Sequence, residues 1–293
     1  MTTETEQLTQ TGRTSELTDL MTTEPPPDAV IDRIGVQRCG PVVIVTLSHP
    51  SALNSLALES WRRLRTTFEQ LAHEGDLRAV IVRGSGTRAF AAGADIKQFP
   101  ETRMTSRDAM HYNEFVSGTL RAVAALPVPV IAAVRGLAVG GGCELATACD
   151  VRLVADDARI GIPVGKLGVI LGYTESRAAS AVIGSAALKY LLFSGELMSA
   201  ADAERVGFAQ KVVAPNDLAG ETVSLVTSIC RQSAVTIRAA KVIADMHGRA
   251  LTAEDTELVH RLTVEAYEGD DLKEGVAAFT QGRQAVFGGR EGV

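Results

Sequence analysis

The amino-acid sequence predicts an α/β protein built on a parallel sheet, and three observations carry that expectation. Apolar, β-branched runs of strand length recur at residues 42–47, 77–82, 129–134 and 151–155, the pattern of buried strands. Amphipathic helical periodicity fills the first interval, where Trp61, Leu64, Phe68 and Leu71 recur at three- and four-residue spacing. The links are short, and strand, helix, strand with short links is a βαβ unit, whose strands run parallel.

Taken in order, residues 1–28 are rich in Thr, Glu and Gln and end in Pro25-Pro26-Pro27; this composition predicts a disordered tail with a stiff hinge. Order is expected from Val30. Residues 48–54 read as a turn after the first strand, and the second strand stops at Gly84-Ser85-Gly86. Residues 90–97 form a small-residue loop. Thr105 or Ser106 is expected to cap a helix carrying Met110, Phe115, Leu120 and Val123, which ends before Pro127 and Pro129. The strand at 129–134 leads into residues 138–146, where Gly140-Gly141-Gly142 precede Cys143 and Glu144 at a helix start. Residues 158–168 are loop-rich, small-residue helices are expected over 174–203, and a last short strand over 208–213. Pro215 opens a helical C-terminal third. The expected division is a tail (1–28), an α/β core (29–214) and a helical region (215–293).

Composition narrows the classes. With 293 residues, 46% hydrophobic and 22% charged, the chain can bury a substantial core and is globular. A formal charge of −6 argues against nucleic acid or an anionic membrane as partner. Cys39, Cys143, Cys149 and Cys230 are scattered, with no metal-ligand spacing, and read as reduced, buried residues. No apolar run has membrane-spanning length, and no basic-then-apolar leader stands at the start, so a cytoplasmic location is expected.

Two stretches bear chemistry. Free N–H groups at a helix start can hold an anion or a developing negative charge, and Glu144 in the first turn would stand beside that site. Read alone, the same stretch is more readily a tight strand–helix turn with a solvated Glu. Residues 90–97, Phe90-Ala91-Ala92-Gly93-Ala94-Asp95-Ile96-Lys97, would let backbone approach a ligand closely, with Lys97 free to meet an anion; a plain turn is the alternative.

Together, about fifty positions apart, these stretches resemble the crotonase (enoyl-CoA hydratase/isomerase) superfamily, and the likeness covers roughly residues 30–290. The resemblance implies a spiral of βαβ turns with C-terminal helices packing into a homotrimer, or a hexamer as a dimer of trimers. It implies an acyl-CoA thioester as substrate, with no resident cofactor or metal. The backbone N–H groups of Ala94 and Gly141 would form an oxyanion hole for the thioester, with Glu144 as acid/base. Ala52, Leu53, Ala92, Asp95, Ile96 and Lys97 would face coenzyme A, while Phe279 and Arg283 would reach a neighbouring subunit's CoA. Core packing is the other reading of Phe279.

The chain departs from this pattern in two places. Ser51 stands where relatives often carry Lys or Arg, which removes one phosphate contact. More consequentially, the family's second catalytic glutamate falls at Pro163-Val164, so valine replaces it, and the following segment is altered to Leu171-Gly172-Tyr173-Thr174-Glu175-Ser176-Arg177. Water addition to a conjugated double bond needs both an activated water and a proton for the α-carbon. Enoyl-CoA hydration is the leading expectation, beside isomerase or hydratase–lyase chemistry and a non-catalytic acyl-CoA-binding protein. Glu175 is the nearest acid downstream, but an exposed helix-start Glu is its commoner role. Tyr173 reads as a residue closing a core edge. Neither a nucleophile elbow nor a dinucleotide or P-loop fingerprint is present.

Overall fold

A computed structural model describes residues 2–246 and 250–289. Eleven strands are found among them: β1 (Val30–Ile31), β2 (Ile34–Cys39), β3 (Val42–Leu47), β4 (Ala79–Gly84), β5 (Ala89–Ala91), β6 (Val130–Val134), β7 (Leu137–Val139), β8 (Val151–Ala155), β9 (Arg159–Gly161), β10 (Met198–Ser199) and β11 (Lys211–Val213). The helices are α1 (Thr2–Thr22), α2 (Leu58–Leu71), α3 (Phe99–Thr102), α4 (Ser106–Ala124), α5 (Gly141–Ala148) and α6 (Tyr173–Ser194). They continue as α7 (Ala200–Arg205), α8 (Leu218–Cys230), α9 (Ala234–Asp245), α10 (Ala253–Glu268) and α11 (Asp270–Gln281).

The main sheet has the order β1-β2-β3-β4-β6-β8-β11, parallel from β3 onward. The expected α/β architecture with a parallel sheet and C-terminal helices is therefore present. Strand alternation sorts its side chains onto two faces. Val43, Val45, Val80, Val82, Val130, Ala132 and Val154 enter the larger core with Trp61, Phe68 and Phe90 from α2 and β5. Ile44, Ile81, Ile131 and Leu153 point the other way, into a second core under α8. Both faces are covered, which is why these strands read as continuous apolar runs. A second sheet, β10-β9-β7-β5, lies beside the first and carries the site.

Two expectations are corrected. Within the tail expected to be disordered, Thr2–Thr22 is helical (α1), and Leu17 and Met21 are buried against Val42 and Ile44 in the second core. Their four-residue spacing is one helical turn, and the anchor is the sheet face, which a composition argument does not see. The helix ends before Pro25, and Glu24 then ties the chain to β4's exit by accepting from Gly86 N at 2.7 Å. The second correction is an antiparallel β1-β2-β3 edge that precedes the parallel sheet and that the sequence reading passed over. Thr105 caps α4 as expected, accepting from Asp108 N at 3.1 Å. Met110, expected on the apolar face of α4, is exposed.

Candidate active site

The glycine stretch lies where β7 hands over to α5, and each glycine is required for a different reason. Gly140 turns the chain at φ 53°, ψ −122°, a conformation closed to L side chains. A Cβ at Gly141 would lie 2.8 Å from Trp61 Cζ2, and one at Gly142 would lie 2.1 Å from the Ala91 carbonyl oxygen. α5 is thereby seated against β5 with its N-terminus turned toward residues 93–95.

That loop is held by the 53–56 segment. Ala92 N donates to Leu53 O, Leu56 N to Gly93 O, and Asp95 N to Leu56 O, all at 2.8–2.9 Å. In this parallel bridge Ala94 turns its own N–H away from Leu56. Gly141 is the first residue of α5, so its N–H has no partner inside the helix. A Cβ on Gly141 would lie 3.9 Å from Ala94 N, which puts the two amides at one corner of a pocket. Trp61, Arg103, Tyr112, Glu144, Val164 and Glu175 also line that pocket.

Glu144 sits one turn into α5. Burial, reinforced by the neighbouring Glu175 carboxylate and opposed by Arg103, pushes its pKa up to about 7. Trp61 Nε1 donates to Tyr112 Oη at 3.1 Å, and Arg103 stacks on the Tyr112 ring, 4.1 Å from its centroid. Burial raises Tyr112 to about 12, so it stays a neutral phenol. Cys143, beside Glu144, is buried and its thiol is pushed up to about 12. Arg152 closes the far end of α5, donating to the carbonyls of Cys149 (2.6 Å) and Ala146 (3.3 Å) and to Phe208 O.

The structure thus brings Ala94, Gly141, Glu144 and Val164 into one pocket. Ala52, Leu53, Ala92, Asp95, Ile96 and Lys97 lie on the two adjoining loops. Asn54 pins the first of these: it accepts from His49 N and donates to the carbonyls of Ser85 and Ala89. Asp95 pairs with Arg33 at 2.8 Å, and that hydrogen bond lowers its pKa. Burial and the Arg33 and Lys97 charges outweigh Asp95 and lower His49, so cations surround the loop where Ser51 offers none. Arg33 was missed because it sits in the β1–β2 turn, 62 residues before Asp95.

Phe279 and Arg283 lie outside the pocket. Phe279 is 89% exposed, so the core-packing reading of it fails; Arg283 forms a two-pronged pair with Glu274, which takes that carboxyl down to about 2. Tyr173 is 83% exposed and does not close a core edge. Glu175, expected to be exposed, is 5% exposed and faces Glu144 in the pocket. α4 and Gly172 enclose it, and neither is visible from its local sequence.

Paired amide donors beside a carboxyl raised toward neutral pKa form a pocket whose chemistry suits a developing oxyanion. The family model for enoyl-CoA hydratase/isomerase matches residues 38–290, and the chain belongs to that family. It is 38% identical to a probable enoyl-CoA hydratase of Mycobacterium bovis, over 87% of this chain and 98% of that one. A short-chain-enoyl-CoA hydratase of Clostridium acetobutylicum is 29% identical, covering 87% of this chain and 97% of its own. Among solved structures, an enoyl-CoA hydratase/carnithine racemase from Magnetospirillum magneticum superposes with a TM-score of 0.83 at 33% identity, covering 89% of this chain and 97% of that one. No helix among the described residues is long and apolar enough to cross a membrane.

Proposed function

We propose that this enzyme adds water across the double bond of 2-enoyl-CoA thioesters. The observation that carries the reading is the convergence of the Ala94 and Gly141 amides on the pocket that holds Glu144. The amides receive the thioester oxygen as water attacks C3 and the electron pair moves toward the carbonyl. Removing one such donor typically costs about 3–4 kcal/mol of barrier. Glu144, near neutrality at about 7, is suited to exchange a proton with water or C2 at physiological pH. The hydratase names of the relatives support hydration over double-bond migration, hydratase–lyase chemistry or binding without turnover.

Coenzyme A enters as part of the substrate. Ala52, Leu53, Ala92, Asp95, Ile96 and Lys97 are its proposed contacts, and Arg33 and Lys97 supply the positive charge that Ser51 lacks. Exposed Tyr267, Val276 and Phe279 on α10 and α11 support assembly into a homotrimer or hexamer, with Phe279 and Arg283 turned to a neighbour's CoA. Buried thiols suit the reducing cytoplasm. The test is loss of the conjugated thioester absorbance on mixing the protein with trans-2-enoyl-CoA of several chain lengths. Tight thioester binding with no turnover on any enoyl or hydroxyacyl substrate would overturn the reading.

A further inference from the structure

The valine at 164 leaves the pocket short of one carboxylate on the wall where the family places it, and the fold supplies another from a different helix. Glu175 is the third residue of α6 and belongs to the altered segment. Its residue exposure is 5%, and its side-chain partner is the Ser117 hydroxyl rather than a cation. A buried carboxylate costs stability, so its retention in a pocket asks for a role. Its seat is specific. Oε1 accepts from Ser117 Oγ on α4, and Oε2 occupies the space a side chain at Gly172 would fill, 2.1 Å from an ideal Cβ there. The carboxylate is turned back over the start of its own helix into the pocket lined by Glu144, Val164, Ala94 and Gly141.

We infer that Glu175 is the second catalytic carboxylate of this enzyme and works beside Glu144. The inference rests on the hydratase reading above. The ionised carboxylate takes a proton from water as the water oxygen bonds to C3; the C2=C3 electron pair moves to form an enolate held by the Ala94 and Gly141 amides. The other carboxyl gives its proton to C2 as the carbonyl re-forms. One O–H bond of water and one carboxyl O–H bond break, a C–O, a C–H and a new carboxyl O–H bond form, and one of the two carboxyls is again protonated. The other groups facing them are Arg103 and Tyr112.

The experiment measures kcat, KM and the pH profile on a trans-2-enoyl-CoA that the wild type hydrates. Glu175→Gln is expected to lower kcat about 10²–10⁴-fold with KM within about threefold, and to remove one limb of the pH profile. Gly172→Ala, which keeps the acid but displaces it from Ser117, is expected to lower kcat with the fold intact. Adding Val164→Glu to Glu175→Gln is expected to recover at least about tenfold, because the wall of the same pocket regains an acid. Wild-type kcat in Glu175→Gln overturns the inference, as does a loss with an unchanged pH profile and no recovery from Val164→Glu, the mark of a structural role. A wild type inert on every enoyl-CoA instead defeats the hydratase reading beneath it.

Discussion

The indole of Trp61 lies against Gly141 so closely that a Cβ at 141 would stand 2.8 Å from Cζ2. Trp61 is itself fixed by its hydrogen bond to Tyr112 and is 1% exposed, so the ring cannot yield. Gly141→Ala should therefore move the start of α5 and its amide, lowering kcat about 10²–10³-fold with a small change in thioester affinity. Steady-state kinetics beside equilibrium binding of a saturated acyl-CoA checks this, and an unchanged kcat would remove Gly141 from the oxyanion hole.

Glu144→Gln should lower kcat about 10²–10⁴-fold while leaving CoA binding nearly intact. An unchanged rate would take Glu144 out of the chemistry.

The same substitution should alter stability with pH. Below about pH 4.5 Glu144 is neutral both folded and unfolded. From 4.5 up to about 7 only the unfolded chain ionises it, so wild-type stability falls across that window and levels off above it. Glu144→Gln lacks this loss. Its stability relative to wild type should rise between pH 4.5 and 7, by about 1–3 kcal/mol, as urea titrations at pH 4.5 and 8 would show. An equal difference at both values contradicts the raised pKa.

Arg152 is 4% exposed and serves four carbonyls at once, those of Ala146, Cys149, Asp150 and Phe208. Arg152→Met would leave those acceptors unsatisfied and should destabilise the protein by about 3–5 kcal/mol. Chemical denaturation measures it, and a loss below about 1 kcal/mol would mean that water replaces the guanidinium.

Leu17→Ala and Met21→Ala test the N-terminal helix. Both side chains are buried under the sheet, so each should cost about 2–4 kcal/mol. A disordered tail would show no change in the denaturation midpoint.

Much of this architecture is legible in the sequence where a signal is local. The strands at β3, β4, β6 and β8 announce themselves because two covered faces leave no polar alternation to find. The second sheet does not: β5, β7 and β9 are three residues each, rich in Ala and Gly, and exist because neighbouring backbone pairs with them. Leu17 and Met21 look like sparse apolar residues until a sheet face is placed beneath them. At the site, the resemblance pointed to Ala94, Gly141 and Glu144, and the glycines' fit to Trp61 and Ala91 supplies the physical reason. Glu175 escaped because its burial depends on Ser117, 58 positions earlier, and on the missing side chain of Gly172.

An oxyanion hole that polarises a thioester also primes it as an acyl donor, and any thiolate within reach would take the acyl group off coenzyme A and trap the enzyme as a protein thioester. Cys143 stands two residues from Gly141 and next to Glu144. With its thiol raised to about 12 and buried, it has essentially no thiolate at neutral pH. The packing that makes Cys143 an ordinary core residue therefore leaves no thiolate beside the proposed oxyanion hole to compete for a bound thioester.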